Sequence, residues 1–149
     1  MKIKAGILLM ASILTFLTGC MSGNVEKQKN LKKINGLEIT LDEIKEYKKR
    51  ENIEVDPPDK VYQVQVNVKN NSSNERGVGS LDFKAVDKKG KEMIRYGYAD
   101  SIGEVIGIGK SIHGNIYFVG KIEDISYIEF KDPNTSKLNK WKIKEMIVY

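Results

Sequence analysis

Few side chains in this sequence are of a type that does chemistry unaided. The chain has one cysteine, Cys20, and one histidine, His113. A thiolate can act as nucleophile or metal ligand, and an imidazole can move protons or bind metal. A zinc site needs three or four converging nitrogen, sulfur or carboxylate ligands, and neither residue has a second of its kind. Gly103–Ser111 (GEVIGIGKS) comes nearest to a phosphate-binding loop, since Gly109-Lys110-Ser111 matches the end of that motif. The motif requires four residues before Gly-Lys-Ser, whereas Gly103 leaves five, and Glu104 stands where the first glycine belongs. The residues after Ser111 alternate like a strand, yet phosphate is held at a helix N-terminus. A sandwich loop is the expectation there. Asp56, Asp59, Asp132 and Asn134 carry hard oxygen ligands but lack the spacing of a calcium loop, so they are expected in solvated turns. No paired-carboxylate motif, nucleophile elbow or zinc-protease signature occurs. The expectation is a non-enzymatic chain with no catalytic residues, no cofactor and no metal.

Cys20 has a more specific context. Lys2 and Lys4 precede thirteen almost wholly apolar residues, Ala5–Leu17, as in an export signal. As a helix these span about 20 Å, short of the roughly 30 Å hydrocarbon core of a bilayer. Leu17-Thr18-Gly19-Cys20 resembles the lipobox of bacterial lipoproteins at each of its four positions. The resemblance implies cleavage before Cys20 and a diacylglycerol on its sulfur. Residues 1–19 would then be a signal peptide, and the remainder would be held on the extracytoplasmic face of the cell membrane. Two acyl chains give stable anchoring where one gives marginal binding. The modification would also take the only thiol out of redox, metal and catalytic roles.

The 130 residues from Cys20 onward suffice for one domain with a sizeable core. Two of the 25 basic residues lie in the leader, so the rest carries a net charge of +3 against 20 acidic residues. Arginine supplies three of the basic residues. Scarcity of the planar fork that reads phosphates and base edges, with an export signal, argues against a nucleic-acid partner.

The elements that must position any site read as strands. Residues 20–33 form the lipidated terminus and a polar tether, and residues 34–149 the domain. Leu37, Ile39 and Leu41 alternate with polar residues, as do Tyr62, Val64, Val66 and Val68, the period of a strand with one buried face. Thr40 with Glu43 mimics a capping box, so residues 43–50 read as strand or short helix. Glu51–Lys60, with Pro57-Pro58, reads as a loop. Asn70–Gly79 reads as a polar turn, Leu81–Ala85 as a strand, Asp87–Gly90 as a hairpin turn and Met93–Tyr98 as the return strand. Ser101–Gly109 reads as irregular. Ile112, Gly114, Ile116 and Phe118 line one face of a further strand, leaving His113, Asn115 and Tyr117 as an outward polar stripe, the candidate partner contact. Tyr96, Tyr98 and Trp141 are expected to pack in the core or at a corner. Ile125–Phe130 and Lys140–Met146 complete about seven strands, which points to an all-β, antiparallel sandwich.

Five stretches occur in order across residues 34–144: Gly36–Thr40 (GLEIT), Tyr62–Asn71 (YQVQVNVKNN), Phe83–Gly90 (FKAVDKKG), Gly109–Val119 (GKSIHGNIYFV) and Trp141–Ile143 (WKI). This arrangement resembles a family of bacterial exported lipoproteins with an immunoglobulin-like domain of unknown function. That family is related in fold to a secreted mycobacterial immunoprotective antigen. The resemblance implies an Ig-like sandwich and assigns no activity. Residues 96–109 depart from the family pattern. Anchor, tether and sandwich together lead to the expectation of a module that contacts another envelope protein, a polymer or a peptide. Alternatives are a solute- or metal-capturing lipoprotein serving a transporter or sensor, and an envelope enzyme whose site is assembled from loops.

Overall fold

Alternating apolar residues do produce strands, but two irregularities decide how those strands are used. The computed structural model describes residues 30–48 and 58–146. Nine strands lie among them: β1 (Leu31–Ile34), β2 (Leu37–Glu46), β3 (Val61–Asn70), β4 (Arg76–Gly79), β5 (Phe83–Asp87), β6 (Gly103–Ile106), β7 (Ser111–Val119), β8 (Ile125–Lys131) and β9 (Leu138–Lys142). Three single-turn 3-10 helices come after β4, β7 and β9, at Ser80–Asp82, Ile122–Asp124 and Ile143–Glu145. One sheet has the order β1-β2-β3-β7, a second β5-β8-β9, and a ribbon pairs β4 with β6, all antiparallel. Leu37, Ile39 and Leu41 of β2, Val64, Val66 and Val68 of β3 and Phe118 of β7 meet Phe83 of β5, Phe130 of β8 and Trp141 of β9 in one core. The Phe83 and Phe130 rings lie 4.9 Å apart. The fold is the expected Ig-like β-sandwich.

The first irregularity is a bulge in β2. Leu41 pairs with Val66 and Ile44 with Val64, so three residues of β2 advance where β3 advances two. An extra residue inverts the side-chain parity, and buried positions shift from odd (Leu37, Ile39, Leu41) to even (Ile44). The Thr40–Glu43 spacing that mimics a capping box spans this bulge. The strand runs on through Glu46, and no helix forms over 43–46. A similar shift in β8 between the partners of Val86 and Asp87 lets Ile125 and Ile128 both face inward.

The second irregularity replaces the expected strand Met93–Tyr98. The turn at Asp87–Gly90 forms as expected, with Gly90 at φ +83°. The chain then bridges β5 at Glu92 and Met93, leaves that sheet, and joins β7 of the other sheet at Ile94–Tyr96. A segment that changes sheets cannot form one continuous ladder. It becomes a strap, residues 94–102, along the otherwise open edge of β7.

Three further expectations are corrected. The polar turn at 70–79 contains β4, and the irregular stretch 101–109 contains β6, which pair through Gly77 with Val105 and Gly79 with Gly103. The domain begins earlier than residue 34, because Leu31–Ile34 pair with β2. The turn between β1 and β2 is Asn35-Gly36, with φ +46° and +81°, the left-handed pair that matches strand twist. A β-carbon at Gly36 would stand 2.6 Å from that of Ser72. The 51–57 part of the expected loop lies outside the described residues.

The polar groove on the outer face of the four-stranded sheet

Directly paired residues share a face, so Gln63 with Tyr117, Gln65 with Asn115 and Asn67 with His113 stand together on the outer face of β3 and β7. The expected stripe is therefore real in register. Its exposure is not uniform. His113 is exposed and Asn115 half-buried, but Tyr117 is only 2% exposed. An outward position becomes buried because the strap folds over it, and Tyr47 packs beside it at the far end of β2. The Tyr47, Tyr98 and Tyr117 rings lie 5.0 to 5.5 Å from one another in edge-on and tilted contact.

Asp100 closes this cover. The Tyr117 hydroxyl donates to its Oδ1 at 2.6 Å and Asn115 Nδ2 to its Oδ2 at 2.8 Å, while Gln63 Nε2 donates to the Tyr117 oxygen at 2.9 Å. Burial, then the Asp100 carboxylate, pushes the Tyr117 hydroxyl above its ordinary range, against a smaller opposite pull from Gln63. Tyr117 therefore stays a neutral donor. The strap's backbone is fixed too: Ile102 N–H donates to Asn115 O at 2.8 Å. It passes so close that a β-carbon on Gly114 would stand 2.8 Å from that of Ile102. Only glycine fits beneath the strap.

Beside the strap lies an open groove of about 450 Å³, lined by Asp42, Gln65, Asp100, His113, Gly114 and Asn115. Asp42 belongs to the β2 bulge. Its walls offer carboxylate and amide acceptors, amide donors and one imidazole, a set suited to hydrogen bonding. Among the described residues no three His, Cys, Asp or Glu side chains converge to hold a metal ion. Two of the stripe residues, His113 and Asn115, reach this groove; Tyr117 supports it from below. Gln65 is readable as outward from the β3 alternation, whereas nothing local to Asp100 signals that the strap delivers it here.

Other candidates resolve differently. Gly103–Ser111 forms β6, a turn and the start of β7. The turn's Gly109 N–H donates to Asn70 O, and Asn70 Nδ2 donates to Ile106 O. Asp59 is exposed; Asp56 and Cys20 lie outside the described residues. Asp132 is not in a solvated turn: it is fully buried, with Arg76 NH2 2.8 Å from its Oδ1. Asn35 Nδ2, Thr135 Oγ1 and the Asn134 N–H also donate to it, and Arg76 NH1 donates to Asn35 O. Burial alone would raise this carboxyl, but these donors hold it below the usual carboxylate range. Trp141 is buried, and its Nε1 donates to Asn30 O at 2.6 Å.

Sandwich and groove define an Ig-like β-domain with an open polar surface site. The chain belongs to the DUF4352 family, a domain of unknown function, whose pattern matches residues 27–137. It matches no curated protein. Its fold is similar to that of ycdA, a candidate lipoprotein of Bacillus subtilis, with a TM-score of 0.61 and 19% identity over 77% of this chain. The chain spans 39% of the ycdA structure's length. It is also similar to MPT63, a secreted protein of Mycobacterium tuberculosis (TM-score 0.56, 18% identity, 71% of this chain and 82% of that one). A third similar structure is the yjhA protein of Bacillus subtilis (TM-score 0.58, 14% identity, 79% of this chain and 94% of that one). Among the described residues no helix is long and apolar enough to cross a membrane.

Proposed function

We propose that this chain is a lipid-anchored, extracytoplasmic binding module, without enzymatic activity, that holds an envelope protein, polymer or peptide in its outer-face groove. The observation that carries this reading is Asp100, fixed on both carboxylate oxygens by Tyr117 and Asn115. A polar wall ordered before binding loses little conformational freedom when a partner arrives. The groove is open along the sheet, which favours an extended polar segment over an enclosed solute. The lipobox-like Leu17–Cys20 supports the anchor, and the descriptions of ycdA and MPT63 support a location outside the cytoplasm.

Crosslinking capture with the acylated protein in its native envelope tests the groove. One defined partner should be recovered by the wild type and lost with His113→Ala/Asn115→Ala, whose side chains reach the groove without filling the core. Equal recovery by the double variant would remove the groove from the reading. Separately, inhibition of lipoprotein signal peptidase should leave a longer precursor; an unchanged mass would sink the anchor.

A further inference from the structure

A second groove, of about 580 Å³, opens where β8 begins and β9 ends. Its floor is apolar, with Ile125, Ile143 and Met146 all buried. Lys88 and Lys144 stand on its rim, and a contiguous hollow sharing Lys88, Ile125 and Lys144 adds Lys142. Lys88 is set there by its N–H, which donates to Asp124 O at 3.0 Å. All three lysines are exposed, and none forms an ion pair among the described residues. Among the described residues one carboxylate, Glu123, shares the rim, against three lysines. Exposed cations over a buried apolar floor match the boundary between headgroup phosphate and acyl ester in an anionic bilayer.

The chain's entry point lies at the same end. Trp141 Nε1 donates to Asn30 O, and Asn139 Nδ2 to Lys33 O at 3.3 Å. Thus β1 runs beside β9 with Asn30 towards Lys142 and Lys144. Cys20 precedes Asn30 by ten residues, which span at most about 35 Å. An acyl group on Cys20 would keep this end within reach of the membrane surface.

We infer that the groove ringed by Lys88, Lys142 and Lys144 docks the domain onto anionic phospholipid of the membrane that holds its anchor. This rests on the proposed acylation for its setting, but its test does not require acylation. The chain from residue 20, with Cys20→Ser, is sedimented with phosphatidylcholine vesicles containing or lacking phosphatidylglycerol, at low and at 0.5 M salt (about a 4 Å screening length). The expected result is binding to the anionic vesicles only, abolished by salt. Lys88→Gln/Lys142→Gln/Lys144→Gln should weaken it by about a hundredfold. Lys69→Gln/Lys110→Gln/Lys137→Gln removes the same charge elsewhere and should weaken it less than about threefold. No binding to either vesicle, equal binding to both, or equal losses in the two triple variants would overturn the inference. Free glycerol phosphate displacing the chain at millimolar concentration would also overturn it, by assigning the lysines to a soluble anion. The mass of Cys20 from cells decides the anchor independently of all these results.

Discussion

The two grooves of this domain are built on opposite plans. The outer-face groove has one polar wall whose partners are already chosen: Asp100 is held by Tyr117 and Asn115, and Tyr117 by Gln63. The groove at the end of β9 has an apolar floor and lysines that make no ion pair among the described residues. Fixed hydrogen-bonding groups discriminate between partners, because a mismatched donor or acceptor is left desolvated and unpaired. Mobile cations around an apolar floor respond instead to average charge and tolerate many arrangements of it. On the proposed reading, one sandwich carries a selective surface and a permissive one, and only the first is braced from behind.

The largest effect is expected where the fold beneath both grooves is weakened. Asp132→Ala leaves the buried Arg76 guanidinium without its carboxylate, and breaking such a pair costs about 3–5 kcal/mol. Chemical denaturation should show that loss with both binding activities falling together. The sign with pH is set by the depressed Asp132 carboxyl. Its stabilisation is complete above the unfolded value near 3.8 and drains away as pH falls below that, towards the folded value. Acid unfolding of the wild type should therefore steepen below about pH 4, and Asp132→Ala should lack that component.

Gly114→Ala separates the two plans. The added carbon collides with Ile102, and overpacking of this kind costs about 1–3 kcal/mol. Partner capture should fall as the strap lifts, while vesicle binding stays unchanged; a parallel loss of both would mean that the grooves are coupled. Tyr117→Phe is milder. It removes one hydroxyl and leaves Gln63 and Asp100 each short of a partner, at about 1–2 kcal/mol. If thermal unfolding and partner capture are both unaffected, Asp100 is not braced through Tyr117 and the contrast between the grooves weakens.

Legibility in the sequence tracks the range of the interaction. The β3 and β7 alternations and the Asp87–Gly90 turn are local, and they read correctly because the period of two and the glycine at positive φ leave few alternatives. Asn35-Gly36 is an equally local hairpin signal, and reading past it puts the start of the domain three residues late. The β2 bulge leaves residues 43–46 open between strand and helix for a definite reason: the inserted residue breaks the period of two just where Thr40 and Glu43 mimic a capping box. Non-local contacts leave no trace. Asp132 sits in a stretch, Asp-Pro-Asn-Thr, that reads as a solvated turn, and nothing near it announces Arg76, 56 residues earlier. Tyr117 reads onto the correct face, but its burial depends on a strap that leaves one sheet for the other. The strap's destination is set by packing against Gly114, not by its own alternation.

The contacts of Asn30 and Asn35 carry a consequence for synthesis. Trp141 Nε1 reaches Asn30 across 111 residues, and Asp132 reaches Asn35 across 97. The first hairpin thus cannot complete its polar contacts until the last turn and strand arrive. A chain delivered from its N-terminus, by ribosome or by channel, has its opening strand waiting for its closing one. Long-range closure of this kind is slow, so Asn30 and Asn35 gain these contacts only after residues 132–141 have arrived.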